Sequence, residues 1–597
     1  MTISLEPFSE LVPISVQAGR YIANAECKTT LTPIEVASIP GSNADISGAI
    51  KTLPGVQNVD EGSGLFVRGG DFTETRMFVD GVPLFSAYQF EAPTGSVGGT
   101  VNPFLTSSMA FLSGGFGAEW GNVLSGVVDL RTLGRPARSY TSINASILGL
   151  TLGGGLALRK GLGFTATLGA TALDFMLRVN GNPRGFSPTP HGRVTSGLAS
   201  WEYRRTGRVK IFGLVQKNAF GVPVVDPAYT SVFSSNRSSD VLVASWSDSI
   251  GIWRPLASAS TAGFSRDESK GAYGTFPANP YDGARGAPTV STSLNDARTR
   301  SALFVSFDTR STSRTEFIAG VRSNRSGVST TRTTDPSVSF AYVPYGAITL
   351  TASWGLYHQT ADPAFLDRLS VGDKLPELRA NMAIAGVQIG EEQKQIRLEG
   401  WSKSYEDLVG LTRSYVTVAG LRGRAHGPDL FARTIGPKRV NLRLTYSLSS
   451  SRRNDANTGL DAPASFDITN SVTAIAQKQW RSGFSAGVAY KVATGRPFTD
   501  IAGATFSDAE HVYVPVYASP NNERLPSFSR TDMSVSKTRP FGADRFLVVF
   551  AGQNNIFNQI NTFGYTWSTD YATRIPVRSY VNRTISIGAN LSLQAKQ

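Results

Sequence analysis

A single cysteine, Cys27, stands in a chain of 597 residues. That excludes an intramolecular disulfide framework and a cysteine-based metal cluster. Histidine is nearly as scarce: His191, His358, His426 and His511 lie far apart, and none belongs to a His-Glu-x-x-His zinc motif. No Gly-x-x-x-x-Gly-Lys loop is present, so nucleotide hydrolysis by that route is excluded. Gly115-Phe116-Gly117 is not a dinucleotide fingerprint, because Trp120 stands where the third glycine belongs. With no catalytic constellation and no cofactor motif, the chain does not read as an enzyme. Apolar runs are short as well. None reaches the roughly 18 residues that a transmembrane helix needs. Charged residues make up only 17%, and the net charge of +13 comes from Arg and Lys scattered singly, often at every second position. No basic stripe with interleaved aromatics exists, which argues against a nucleic-acid partner. An anionic solute, or anionic lipid headgroups, fits the charge better.

What is present points to strands. Glycine is abundant at 60 residues and aromatics reach 10%. From residue 135 onward one pattern repeats: an alternating strand, a short turn, a second alternating strand, a longer polar loop. Leu442, Leu444, Tyr446 and Leu448 alternate with Asn441, Arg443, Thr445 and Ser447. Leu303, Val305 and Phe307 repeat the theme, as do Ile348, Leu350, Ala352 and Trp354. Apolar-out, polar-in alternation sustained over hundreds of residues is the signature of a membrane β-barrel. Such a barrel is the one way a chain without a transmembrane helix spans a bilayer. The mean hydropathy of −0.11 agrees, because half of each strand is polar. Residues 135–597, shared among about 22 strands, leave about 21 residues per strand and connection. The expected fold is an all-β barrel of about 22 antiparallel strands, with an N-terminal α+β domain inside its lumen.

That inner domain is expected over residues 31–134. Ile34-Glu35-Val36 reads as a short strand. Ser42-Asn43 is a candidate cap for a helix over 44–53, whose Ile46, Ala49, Ile50 and Leu53 share one face. Strands follow at 65–68, 76–79, 109–112 and 127–130, with a tight turn at Asp80-Gly81. Four blocks stand in this region: Val67-Arg68-Gly69-Gly70, Phe78-Val79-Asp80-Gly81, Gly114-Gly115-Phe116-Gly117-Ala118-Glu119-Trp120-Gly121-Asn122, and Ser125-Gly126-Val127-Val128-Asp129-Leu130. In this order and spacing they resemble the plug domain of TonB-dependent outer-membrane receptors of the Bacteroidetes type. The resemblance continues at Trp354 to Gln359, Gly495 to Thr499, Arg524 to Phe528 and Asn554 to Asn558. The last strand, Ser586 to Leu593, resembles the signal read by the barrel-assembly machinery, although it ends in Leu593 rather than an aromatic residue.

The resemblance implies a Gram-negative outer-membrane receptor in contact with lipid. It would import a scarce solute with energy from the TonB-ExbB-ExbD complex. Residues 1–30 would hold the end of an upstream segment and a TonB-box-like linker, with Leu11, Val12, Ile14, Ser15 and Val16 as the TonB-binding strand. An extended segment of this kind binds by adding to a partner's sheet. The chain opens without a basic-then-apolar signal peptide, so its start reads as mature or truncated. Arg68, Glu119 and Asp129 are expected to fasten plug to barrel. Phe85, Tyr88, Gln89 and Phe90, aromatic with polar neighbours, are expected to contact substrate. The solute class stays open among metal chelate, cobalamin, oligosaccharide and peptide. A passive channel, or a TonB-linked signalling receptor without import, is the alternative.

Overall fold

The computed structural model describes residues 28–594 apart from 58–63, 85–87, 93–94, 183–184, 205, 226–229, 249–255, 273–289, 297–299, 313, 328, 330, 363–364, 366–373, 392–393, 414–415, 437, 510, 541–544 and 579–582. The inner domain is built on a five-stranded sheet. Its order is Lys28–Leu31, Thr106–Leu112, Gly126–Thr132, Thr75–Val79, Val82–Pro83. One neighbouring pair, Thr75–Val79 with Gly126–Thr132, runs parallel. The Asp80-Gly81 turn has both residues at positive φ, 47° and 89°, which closes the hairpin from Val79 to Val82.

Two short helices lie beside this sheet. Residues Pro33–Ser38 are helical, not a strand. A capping box decides this: the Thr32 hydroxyl accepts from the Glu35 amide, the Glu35 carboxylate accepts from the Thr32 amide, and Pro33 sits at the first turn. These local bonds outweigh the β-branched pair Ile34 and Val36. The second helix is Ile46–Ile50, capped by Asp45. Asn43 and Ala44 sit at positive φ, so the helix starts later than the pattern alone indicates. Ile46, Ala49, Ile50 and Leu53 are all buried on one face, as their spacing requires.

The barrel runs from Tyr140 to Gln594 as 23 hydrogen-bonded segments. Val440–Leu448 and Ser450–Asn454 both pair with Thr417–Ile435, so they are one pass broken at Ser449. Asp461–Pro463 and Asn470–Gln479 form a second such pass, and Val290–Asp296 with Arg300–Thr312 a third. Merging those three pairs among the described residues leaves 20 passes from 23 segments. The even number is required, because the first strand closes antiparallel on the last, Tyr140 opposite Gln594 and Ser146 opposite Gly588. Several passes of 17 to 19 residues, such as Arg208–Val225 and Thr417–Ile435, use the chain that two further short strands would need.

Alternation along these strands is strict. On Lys394–Leu411, Gln395, Arg397, Glu399, Trp401, Lys403 and Tyr405 are buried under the plug while Ile396 and Leu398 face outward and are exposed. Outward Leu150, Leu168, Leu303, Val305, Leu350 and Leu442 continue the apolar belt. One barrel end carries short turns (158–161, 203–207, 436–439, 480–483) and the other longer connections (173–190, 494–527, 555–583). In outer-membrane barrels the short turns face the periplasm. Trp201, Trp246, Tyr342 and Trp480 gather near that end, and the Trp246 indole donates to the Tyr203 hydroxyl at 2.8 Å. This is an interfacial aromatic girdle, each ring with an apolar body and a wet polar tip.

Plug and wall share one core. Plug residues Val36, Ile46, Met77, Phe111 and Leu130 belong to the same buried cluster as wall residues Leu198, Phe212, Val241, Phe431 and Ile475. The exterior belt makes a clear prediction. Leu168 is 63% exposed in the middle of its strand. Leu168→Arg is expected to lower barrel stability in lipid by roughly 2–4 kcal/mol, measured as the shift of a urea unfolding transition. An unchanged transition would place the bilayer elsewhere on the wall.

Candidate functional site

The plug is tied to the wall by buried charges grouped around its short Phe66–Val67 strand and the loop after it. Arg68 sits at φ 49° and Gly69 at φ 66°, so the chain reverses sharply after Phe66–Val67. The reversal carries the Arg68 side chain into the wall. There it donates to Glu399 at 2.5 Å and to Asp429 at 2.9 Å, with its side chain fully buried. Asp429 also accepts from the Ser447 hydroxyl at 2.6 Å. Gly69 is irreplaceable for two reasons. It needs the left-handed conformation, and a Cβ there would stand 2.9 Å from the Ala425 methyl.

A second knot lies beside the first. Glu74, on the Phe72–Glu74 turn, binds Arg453 of the wall at 2.5 Å and accepts from Ser125 of the plug at 2.6 Å. Lys403 of the wall donates to Ser125 at 2.9 Å and to the Val67 carbonyl at 3.1 Å. The Arg453 guanidinium also lies over the Tyr405 and Phe466 rings, at 4.6 and 4.8 Å. Burial pushes the Glu74 carboxyl up, but Arg453, Lys403 and the Ser125 bond together hold it below the usual carboxylate range. The neighbouring Asp71 is pushed up, by burial first and by the Glu74 charge second. A third tie joins Asp80 to Lys210 of the wall at 3.1 Å.

The other expected fastening residues behave differently. Glu119 meets the wall through its backbone, whose carbonyl accepts from Arg322 at 3.1 Å beside that of Ala118 at 3.3 Å. Asp129 is buried and binds Arg131 at 2.9 Å, within the plug itself. Of the expected substrate residues, Phe85 lies outside the described residues. Tyr88 and Gln89 line a cavity of about 390 Å³ between plug and wall. Phe90 does not line it. It packs edge-on against Phe220 at 6.2 Å in a small apolar cluster. Leu11, Val12, Ile14, Ser15 and Val16 lie outside the described residues.

This cavity has the size of a small-molecule site. Asp45, Asn102 and Phe104 of the plug face Asn144, Phe212 and Arg530 of the wall across it. Its outer end reaches Leu173, Met176 and Asn180 in the long connection 173–190. There Asn180 acts as a side-chain strand: it donates to the Ile585 carbonyl at 3.0 Å and accepts from the Ile585 amide at 2.6 Å. Gln89 is fixed in place, its side-chain amide nitrogen donating to the Gly99 carbonyl at 3.0 Å and its backbone carbonyl accepting from the Asn218 side chain at 2.9 Å. The Gln89 Oε1 atom is buried and has no hydrogen-bond partner. Among the described residues no group of three His, Cys, Asp or Glu side chains is placed to hold a metal ion.

The wall partners Glu399, Lys403, Asp429 and Arg453 escaped the sequence reading. Their signal was present, as charges alternating with outward apolar residues. Which of them meets Arg68 depends on a register set by strands more than 300 residues downstream.

No family model matches this chain, and no curated protein matches it. Solved structures do. A mutant ferric enterobactin receptor from Pseudomonas aeruginosa aligns over 96% of this chain and 100% of its own, with TM-score 0.62 and 12% identity. The copper transporter OprC aligns over 95% and 98%, with TM-score 0.63 and 12% identity. The siderophore receptor PirA from Pseudomonas aeruginosa aligns over 95% and 99%, with TM-score 0.59 and 13% identity. The chain therefore has the plug-in-barrel fold. These neighbours are named as receptors and a transporter.

Two predictions follow from the lock. Arg68→Ala removes the buried cation that Glu399 and Asp429 share, which costs about 3–5 kcal/mol. Hydrogen exchange of 64–70 is expected to speed up while the barrel strands stay protected. Unchanged exchange there would show that the plug is held by its apolar core alone. The second concerns pH. Because the folded Glu74 carboxyl is depressed, its stabilisation is present above the ordinary carboxylate pKa and is lost as pH falls through the folded value. The stability gap between the native chain and Glu74→Gln is therefore expected to close as pH drops below about 4. A gap that does not change with pH would contradict the ionised assignment.

Proposed function

We propose that this protein is an outer-membrane receptor that imports a small extracellular solute into the periplasm with energy delivered by the TonB-ExbB-ExbD complex. The observation that carries this reading is a lumen filled by a plug and fastened by buried ion pairs. A passive channel has no use for such an obstruction. A receptor that opens only when worked upon needs one. The neighbours of the same fold include receptors for ferric enterobactin and a transporter for copper, so a metal chelate is the solute class we favour over cobalamin, oligosaccharide or peptide.

In this reading residues 31–134 are the plug, 135–597 the barrel, and 1–30 the coupling segment. Solute enters from the long-connection side and meets the crevice at Tyr88 and Gln89, with Phe85 proposed as a further contact and Phe90 packing behind them. Its binding shifts the population in which the coupling segment is available to TonB. TonB pairs with Leu11, Val12, Ile14, Ser15 and Val16 as an added strand. Tension on the segment then breaks the Arg68 and Glu74 ties. Glu119 and Asp129 keep the plug's loop and sheet in shape while this happens. With no Gly-x-x-x-x-Gly-Lys loop in the sequence, we take the work to come from the TonB complex. The barrel-assembly machinery would insert the protein beforehand, reading the final strand.

Titration of the purified protein with a TonB C-terminal domain tests the coupling. The native chain is expected to bind. Val16→Pro, which removes a strand donor, is expected to bind at least tenfold more weakly. Equal binding by both would move the coupling strand elsewhere. Binding by neither would overturn TonB coupling.

A further inference from the structure

We propose that the outward face of the barrel carries two sites for the phosphate groups of anionic membrane lipids, formed by the cross-strand pairs Arg193–Lys217 and Arg325–Arg332. Arg193 stands directly opposite Lys217, and Arg325 directly opposite Arg332. All four residues are exposed. The strands fix the direction in which they point. Leu198 and Ser200 on one strand, and Leu214 and Gln216 on the next, are buried at the inward positions, so Arg193 and Lys217 fall on the outward face. Asn324, Thr333 and Asp335 are buried in the same way, which turns Arg325 and Arg332 outward.

Both pairs sit at one height on the wall. Lys217 is nine positions above Arg208, the first residue of its strand at the short-turn end, and Arg325 is ten positions above Thr315. At ~3.3 Å per residue and a tilt of roughly 40°, that is about 23–25 Å, which matches the apolar band of an outer-membrane barrel. The outward positions below are apolar. Ile211 and Val215 lie under Lys217, and Phe317 and Val321 under Arg325, all exposed. Acyl chains cover that belt, so lipid headgroups lie level with the four cations.

Like charges directly opposite each other destabilise a sheet. A third outward pair shows how the chain offsets this with its own residues. Arg424 stands opposite Arg452, and Asp461 binds both, at 3.2 and 2.8 Å. Among the described residues nothing plays that part for the other two pairs, whose four side chains make neither an ion pair nor a hydrogen bond. Asp240, opposite Val215 and one diagonal step from Lys217, makes no bond with it and sets one negative charge against two positive. Ser323 and Thr334, the outward positions beneath Arg325 and Arg332, carry no charge. The offsetting anion comes from what touches this face, and that is the membrane. A guanidinium fork matches phosphate, the Lys217 ammonium adds a point charge, and both long stems lie along apolar surface while their tips reach the headgroup level. The proposal rests on the barrel's place in the bilayer and not on coupling to TonB, so either can fail alone.

Dioleoyl phosphatidic acid serves as the probe, with the phosphatidylcholine of the same chains and inorganic phosphate as comparisons. The detergent-solubilised full-length chain is melted with each at equal concentration. Phosphatidic acid is expected to raise the melting temperature of the native chain by several degrees beyond phosphatidylcholine, as a ligand bound only by the folded state must. The double variants Arg193→Gln/Lys217→Gln and Arg325→Gln/Arg332→Gln are each expected to lose about half of that difference, and the quadruple variant all of it. In detergent alone the same variants are expected to melt at or above the native temperature, because the repulsion is relieved. That result separates a lost site from a damaged fold, and if the quadruple variant fails to fold the two doubles carry the comparison. Arg424→Gln/Arg452→Gln is expected to keep the full lipid effect. Three results overturn the proposal: no rise specific to phosphatidic acid in the native chain, an undiminished rise in the variants of both pairs, or an equal rise from inorganic phosphate, which would make these sites for a free anion.

Discussion

A charge buried in a barrel lumen must have a partner, and the rest of this structure is arranged around that constraint. Arg68 cannot be withdrawn from water alone. It enters the wall only where Glu399 and Asp429 receive it. The same requirement places Glu74 against Arg453 and Asp80 against Lys210. Ion pairs of this kind add little net stability compared with apolar packing of equal volume. They add position, since a guanidinium between two carboxylates has few acceptable geometries. The apolar contacts between plug and wall supply adhesion without that directionality. Together they give a plug that is fixed in one orientation and can still be released, because ion pairs exchange for water as soon as the interface opens.

Much of the architecture was legible in the sequence. Alternation with period two announces barrel strands without any alignment, because lipid outside and a polar lumen inside act on every residue in turn. Plug strands near 76–79, 109–112 and 127–130 were equally legible, since both faces of that sheet are covered and its residues are almost continuously apolar. The helix at 33–38 was not. Ile34 and Val36 favour a strand, and the decision rests on the reciprocal bonds of Thr32 and Glu35, a four-residue signal that apolar periodicity ignores. The number of passes was approximate for a related reason. Length constrains strands plus connections, whereas the division between them depends on how far each strand rises above the bilayer.

The candidate site was legible in part. Arg68 stands out because it precedes a glycine pair in a block of recognisable spacing. Its partners do not, because contacts between residue 68 and residues 399 and 429 depend on the closed curvature of the wall. Gln89 and Tyr88 border the crevice, while Phe90 serves packing. Period two does not explain the difference, because the adjacent Tyr88 and Gln89 both line the crevice while Phe90, on the same side of the strand as Tyr88, packs against Phe220.

The seam between Tyr140–Ser146 and Thr584–Gln594 joins the two ends of the barrel sequence. The plug precedes the first of these strands, and its core is completed by wall residues as late as Ala489. A ring that closed first would leave the plug outside, with the task of threading back through an opening already lined by unmatched apolar and charged side chains. Insertion of the plug must therefore come before the final strand zips to the first. The last residues of the chain thus act as a clasp, and assembly has an order in time that the finished molecule no longer displays.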